Sequence, residues 1–295
     1  MRRLTMEPQK YRLGIIIPLA NEEATITALL DRICRQITHE DRVFCVLDNM
    51  CKDRTRERIQ DYHDNRDHKV SVVWAPENRC IVDAYFRGYR EAYDQGCFWI
   101  LEMDGGLSHL PEEIPQFIQG MKEGYEYVGG SRFMKGGANN SRFSRRLISR
   151  GGSILAQIFL KAPMTDMTSG FECFSRNQMK EVLDRGVRSR ANFFQTEIRH
   201  MMSKRRWKEV PIHYSNNKFT IGRNSLRESF RILFQLWKER RRQNNSHQPL
   251  TNEPPLEPTR VETIQYQTQT HQRTLRATQN ARNPRRDAGM QAKPK

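Results

Sequence analysis

No stretch of this 295-residue chain approaches the run of about 18 apolar residues that a membrane-spanning helix needs. Its opening, MRRLTMEPQKYR, lacks the apolar core of a secretory signal. The six cysteines (Cys34, Cys45, Cys51, Cys80, Cys97, Cys173) form no CxxC pair and no metal-ligand spacing. A zinc ribbon and a dithiol redox centre are thereby excluded, and reduced thiols in a cytoplasmic protein are expected. Apolar residues are scarce: 37% of the chain is hydrophobic, below the usual share for a packed domain. The shortfall concentrates in residues 243–295, rich in Gln, Asn, Thr, Pro and Arg and nearly empty of large apolar side chains. Such a segment buries too little surface to offset its ordering entropy, so a disordered tail is expected there, with a flexible N-terminus over residues 1–9. Internal repeats are also missing.

What the chain has in excess is positive charge. The formal net charge is +16, and Arg199–Arg242 holds 13 Lys/Arg against 3 Asp/Glu. A basic region this concentrated calls for an anionic partner, whether phosphate, nucleic acid or anionic lipid. Within it, SLRESFRILFQLWKERRR (Ser225–Arg242) sets Leu226, Phe230, Leu233, Phe234 and Trp237 on one helical face and Arg227, Arg231, Lys238 and Arg242 elsewhere. This pattern suits a helix lying in the plane of an anionic bilayer, and equally a helix packed on a sheet. Nucleic acid is disfavoured as the partner, because no stacking aromatics interleave with the basic residues away from that apolar face.

The first hundred residues alternate strand and helix. Tyr11–Leu19, Arg42–Leu47, Val70–Trp74 and Phe98–Met103 read as buried strands. Asn21–Ile37, Thr55–His63 and Ile81–Tyr93 read as helices. Alternation of this kind predicts an α/β fold with a mostly parallel sheet flanked by helices. Ligands in such sheets bind beyond the carboxyl ends of the strands, which here are Pro18–Glu22, Asp48–Thr55, Ala75–Arg79 and Asp104–His109, all polar. Asp104, followed by Gly105-Gly106, suits a Mg²⁺ or Mn²⁺ ion bridging a diphosphate, since such ions take only one or two protein carboxylates; Asp-Gly-Gly is also ordinary turn chemistry. Asp48 and Asp53 suit a ribose or base, while Asp53 also suits an N-cap. Arg132, Arg145, Arg146 and Arg150 offer forked contacts to phosphate, or a solvated helix face. Asp166–Phe171, Gln195 and Glu197 either serve the site or brace it.

Taken in order, these motifs resemble the dolichyl-phosphate mannosyltransferase branch of the family 2 glycosyltransferases, from about Ile15 to Leu236. Ile17–Glu22 matches the family's IPxxNE, and DNMCKDRT (Asp48–Thr55) a reduced DDGSxDGT. Asn78–Ala92 follows NxGxGxAxxxGxxxA, and MDGGLSHLPEEIP (Met103–Pro115) the metal segment MDADxxHxPExIP. GGSRFMKGG (Gly129–Gly137) and RRLISRG (Arg145–Gly151) resemble the phosphate-binding arginine segments, while DMTSGFECF and FFQTEI match DxTSGFRxF and FQxEx.

The resemblance implies a GT-A-type nucleotide-diphospho-sugar transferase fold, Rossmann-like, over residues 10–223, followed by the basic helix at 224–242. It implies a nucleotide-sugar donor (GDP-mannose favoured), a polyprenyl phosphate acceptor, Mg²⁺ or Mn²⁺, and a cytoplasmic, peripheral position at a membrane surface, with a membrane-embedded partner subunit possible. The nucleotide-sugar site would comprise Pro18, Ala20, Asn21, Glu22, Asp48, Asn49, Asp53 and Asn78, together with Asp104 and Gly105. Asp104 would bind the metal, and Asp104, Arg132 and Arg146 would carry catalysis. Arg132, Arg145, Arg146, Ser149, Lys218 and Arg223 would bind the acceptor phosphate. The chain departs from the family where Gly106 stands for the second metal carboxylate, Asn49 for an acid, Arg79-Cys80 for Gly-Lys and Leu226 for a lysine. These departures leave two alternatives: a transferase to a glycan or soluble acceptor, and a non-catalytic paralogue that binds lipid or partner.

Overall fold

A computed structural model describes residues 13–215 and 222–245. The expectations for residues 1–9, for the tail beyond 245 and for Lys218 fall outside the described residues.

β1 (Leu13–Leu19), α1 (Ile26–Cys34), β2 (Arg42–Leu47), α2 (Thr55–Asn65), β3 (Val70–Trp74), α3 (Ile81–Asp94) and β4 (Trp99–Glu102) alternate as expected. A 3₁₀ turn (Pro111–Glu113), α4 (Ile114–Lys122), β5 (Tyr127–Ser131), β6 (Ala138–Asn139) and α5 (Phe143–Leu160) follow. β7 (Glu172–Ser175), α6 (Arg176–Arg185), α7 (Phe194–Met202), β8 (Trp207–Pro211), β9 (His213–Tyr214) and α8 (Arg223–Asn245) complete the order.

Seven strands form one sheet in the order β3-β2-β1-β4-β7-β5-β8. β1, β2, β3 and β4 are mutually parallel, β5 and β8 are parallel, and β7 alone runs antiparallel, between β4 and β5. β1 sits at the centre of the parallel half, and all seven of its residues are buried, which explains why LGIIIPL is a continuous apolar run rather than an alternating one. α1 buries Ile26, Leu29, Leu30 and Ile33, the spacing of a single helical stripe. Two apolar cores result, one on each face of the sheet, containing Ile15 and Ile17 on one side and Ile16 on the other; alternate side chains of one strand point to opposite faces.

The bounds of α1 and α8 differ from expectation. α1 begins at Ile26 rather than Asn21, because Glu22 to Thr25 form a turn whose carbonyl bonds tie Glu22 to Thr25 and Ile26. α5 begins at Phe143 and runs through Gly151-Gly152 without a break. α8 extends to Asn245.

Candidate active site

The ends of β1, β2 and β3 are stitched together by the polar residues that follow them. Asn21, in a left-handed backbone conformation (φ 56°), donates from Nδ2 to the Met50 carbonyl (3.0 Å) and accepts at Oδ1 from the Lys52 amide (2.8 Å). Asp53 accepts from the Glu23 amide, the Thr55 amide and the Thr55 hydroxyl, at 3.0, 3.0 and 2.5 Å. Burial pulls its carboxyl upward, but these bonds outweigh it and hold Asp53 below the usual carboxylate range. Thr55 in turn accepts from the Glu22 amide at 2.8 Å. Asn49 reaches the Pro76 carbonyl at 2.9 Å, and Asp48 accepts from the Met50 amide at 2.8 Å. Asn21, Asn49 and Asp53 therefore tie these loops together, each with its side chain engaged. Pro18 is buried within β1, and of the β1 segment Ala20 and Glu22 reach the surface. Asn78 keeps a buried amide nitrogen with no hydrogen-bond partner, the kind of donor a bound ligand would satisfy.

Asp104 lies at the end of β4, half-buried. The Tyr85 hydroxyl donates to its Oδ1 at 2.7 Å, and its own amide donates to Nδ1 of His109 at 3.0 Å. His109 is buried between the Phe171 and Tyr214 rings, with centroids at 4.8 and 5.1 Å. Burial pushes its imidazole down to about 4, so the ring is neutral and its unprotonated Nδ1 can accept. The turn passes through Gly106 (φ 65°) and Leu107 (φ 60°), conformations that favour glycine and cost a leucine about 1–2 kcal/mol. A Cβ on Gly105 would meet Leu19 Cδ2 at 2.5 Å, so a glycine there lets the turn close on β1. A Cβ on Gly106 would meet Oε1 of Glu22 at 2.7 Å and its carboxyl carbon at 3.1 Å. Glu22 thus brings a second carboxylate to the Asp104 turn, held at Oε2 by the Thr25 hydroxyl at 2.6 Å. A carboxylate such as Asp104 fits a hard divalent cation that completes its shell with phosphate and water.

The arginine segments divide into buried and exposed members. Arg132 is 6% exposed and forks onto Asp166, with Nε–Oδ2 at 2.7 Å and Nη2–Oδ1 at 2.9 Å, while Nη2 also reaches the Thr168 hydroxyl. Burial alone would raise Asp166; the Arg132 guanidinium overrides it and holds the carboxyl far below its usual range. Beneath lies Arg199, fully buried, donating to Glu172 Oε1 at 2.7 Å, to the Gly130 carbonyl at 3.0 Å and to the Asp166 carbonyl. Arg132 thus ties the end of β5 to the Asp166–Phe171 turn. Ser149 faces inward from α5 and is 8% exposed. Arg145 bonds the Tyr214 hydroxyl at 2.9 Å, beside the stacked His109, whereas Arg146 and Arg223 are exposed. Glu197 accepts from the amides of Arg188 and Ser189, so it braces the fold, as does Gln195, packed against Gly170. Sequence reasoning passed over Tyr85, whose only signal was an aromatic on the inward face of α3.

The profile of Glycosyl transferase family 2 matches residues 14–183, more than half of the chain. The chain belongs to this family. It is 32% identical over 163 residues to a "Dolichol-phosphate mannosyltransferase" of Pyrococcus furiosus, covering 54% of this chain but 45% of that one. It is 27% identical to an "Undecaprenyl-phosphate mannosyltransferase" of Micrococcus luteus, covering 69% of this chain and 83% of that one. Its fold is that of a glucosyl-3-phosphoglycerate synthase from Mycobacterium tuberculosis solved with Mn²⁺, uridine diphosphate and phosphoglyceric acid, at a TM-score of 0.57 and 15% identity, covering 78% of each chain. The expected GT-A architecture is thus the one observed.

The family 2 chain also carries an unusual surface. α8 packs on α5: the Phe159 and Trp237 rings meet edge-on at 6.1 Å, and Arg240 donates to the Phe159 carbonyl at 2.8 Å. Ile232 and Leu233 are buried, so the packed-helix reading of α8 holds for that face. Phe230 and Phe234 nevertheless remain 58% and 51% exposed. α5 adds Phe143, Leu147, Ile154 and Ile158, all exposed and, at spacings of four, seven and four residues, on one side of the helix. Arg146 lies over Phe143, and Arg241 and Lys238 over Trp237 and Phe234. Among the described residues no helix is long and apolar enough to cross a membrane.

Proposed function

We propose that this chain is an inverting glycosyltransferase that moves a sugar, mannose favoured, from a nucleotide sugar to a polyprenyl phosphate at the cytoplasmic face of a membrane. The observation that carries the reading is the pairing of family 2 membership with relatives named as polyprenyl-phosphate mannosyltransferases, two of which the chain covers to 83% of their length.

Asp104, with Glu22 beside it, would hold Mg²⁺ or Mn²⁺, which supplies charge neutralisation for a diphosphate leaving group. The acceptor phosphate is already ionised near neutral pH, so its oxygen attacks C1 of the sugar without a protein base. The bond from that oxygen to C1 forms as the bond from C1 to the donor's β-phosphate oxygen breaks, and the nucleoside diphosphate leaves with the electron pair. The chain's part is to orient the two reactants and to exclude water. The stitched loops after β1, β2 and β3 set the nucleotide, with Asp48 and the amide of Asn78 turned to base or ribose. Arg145, Arg146 and Arg223 carry the charge for the acceptor phosphate. The exposed apolar residues of α5 and α8, edged by arginines, suit a bilayer surface with anionic headgroups, where the acceptor resides.

A second reading, a non-catalytic lipid- or partner-binding paralogue, draws on Gly106 at the family's second metal position and on Arg132 being withdrawn into the wall. Nucleotide release separates the two. GDP formed from GDP-mannose only when polyprenyl phosphate vesicles are added supports the enzyme; no acceptor-dependent release from any GDP- or UDP-sugar supports the paralogue.

A further inference from the structure

We propose that Tyr214 is the residue that aims Arg145, and so holds the acceptor-phosphate end of the site in register with the Asp104 turn. The inference rests on the reading in which Arg145 meets the acceptor phosphate, and it deepens that reading by naming the side chain that positions the guanidinium.

Tyr214 stands outside the motifs that pointed to the site, and it is 4% exposed. Its ring lies against the His109 ring, with centroids 5.1 Å apart and planes at 54°, and the two residues form an isolated antiparallel bridge. His109 in turn accepts from the Asp104 amide at 3.0 Å, so the ring of Tyr214 backs the turn that carries Asp104. The neighbouring Ser215 amide fastens the same turn, donating to the Ser108 carbonyl at 3.0 Å. On the other side, the Tyr214 carbonyl accepts from the Asn140 amide at 2.8 Å, just before α5 begins at Phe143. Its hydroxyl accepts from Nη2 of Arg145, in the first turn of that helix, at 2.9 Å. The Asp104–His109 turn and the start of α5 belong to separate elements, yet one side chain touches both. A guanidinium is a rigid planar fork, so fixing one terminal nitrogen restricts the direction of the whole group. A hydroxyl does this without itself cancelling the charge, unlike the Asp166 carboxylate that Arg132 meets. Tyr214 is therefore a positioning residue: it acts on the acceptor phosphate through Arg145, and its ring sets that arginine relative to the donor end through His109.

The test is calorimetric titration of the full chain with geranyl phosphate, a short soluble prenyl phosphate, beside a titration with GDP, so that no turnover is needed. Tyr214→Phe keeps the ring and removes only the hydroxyl. It should weaken geranyl phosphate binding by roughly five- to tenfold, the scale of one hydrogen bond to a charged group, while GDP affinity and the melting temperature stay as in the wild type. Arg145→Gln should weaken geranyl phosphate binding further, and adding Tyr214→Phe to it should cost nothing more, because the hydroxyl acts only through that arginine. Wild-type affinity for geranyl phosphate in Tyr214→Phe, with loss in Arg145→Gln, would overturn the inference and leave the acceptor reading standing. Additive losses in the double variant would overturn it too, since the two residues would then act independently. A loss in Tyr214→Phe shared equally by GDP and geranyl phosphate would assign the hydroxyl to the fold rather than to the aim of Arg145. A wild type that binds GDP but not geranyl phosphate, or an Arg145→Gln variant that binds it undiminished, would remove the acceptor reading at Arg145 and the inference with it.

Discussion

Acidification should loosen this protein through His109, and the magnitude follows from its surroundings. The buried ring is neutral when folded, its pKa pushed down to about 4 from an ordinary 6.5, and its Nδ1 accepts the Asp104 amide. Unfolding lets the ring take up a proton. The stability it contributes is therefore complete above its ordinary value and is lost as pH falls toward the folded value. Between about pH 7.5 and about pH 5 the loss amounts to about 2 kcal/mol. His109→Asn isolates this amount: the asparagine oxygen can still accept from the Asp104 amide, but nothing titrates. Losing the ring's contacts with Phe171 and Tyr214 lowers stability at every pH, so the informative quantity is the change between the two pH values. Burial also depresses His200, to about 4, and that contribution is common to both proteins. Urea unfolding followed by circular dichroism at the two pH values should show the wild type losing about 2 kcal/mol more than His109→Asn. Equal losses in the two proteins would refute the claim that His109 is buried and neutral.

Other consequences can be checked in parallel. Asp166→Asn leaves Arg132 and Arg199 short of their buried counter-charge and should cost about 3–5 kcal/mol in urea unfolding. Leu147→Glu with Phe234→Glu, on the exposed faces of α5 and α8, should abolish flotation with anionic vesicles while leaving the melting temperature within a few degrees; flotation unchanged would remove that face from membrane binding. Wild-type flotation should itself weaken as salt is raised. Removing residues 246–295 should leave transfer intact, and loss of activity in that truncation would assign the tail a role.

The strands were legible because burial on both sides leaves a continuous apolar run: Arg42–Leu47 and Val70–Trp74 match β2 and β3 to the residue. The insertion of antiparallel β7 between β4 and β5 was not, since ECFS carries no local mark of its distant partners. α5 runs through Gly151-Gly152, poor helix formers, and this concealed the alignment of Phe143 and Leu147 with Ile154 and Ile158. At the candidate site, the polar residues after each strand were legible as the loops to inspect. Their individual roles depend on what each side chain meets across the fold: Asp53 meets Glu23 and Thr55, and Arg132 meets Asp166, 34 residues on. An arginine in a phosphate-like motif and an arginine in a buried ion pair are indistinguishable in sequence. That position 106 faces the Glu22 carboxylate required the distance between two loops.

The most direct measurement is transfer of radiolabel. Purified protein is incubated with polyprenyl phosphate in vesicles, Mg²⁺ or Mn²⁺, and labelled GDP- and UDP-sugars, beside an Asp104→Ala control. The account predicts label entering the organic phase from one donor, GDP-mannose, and none from the control. A folded, vesicle-bound protein that transfers no label from any donor would contradict it.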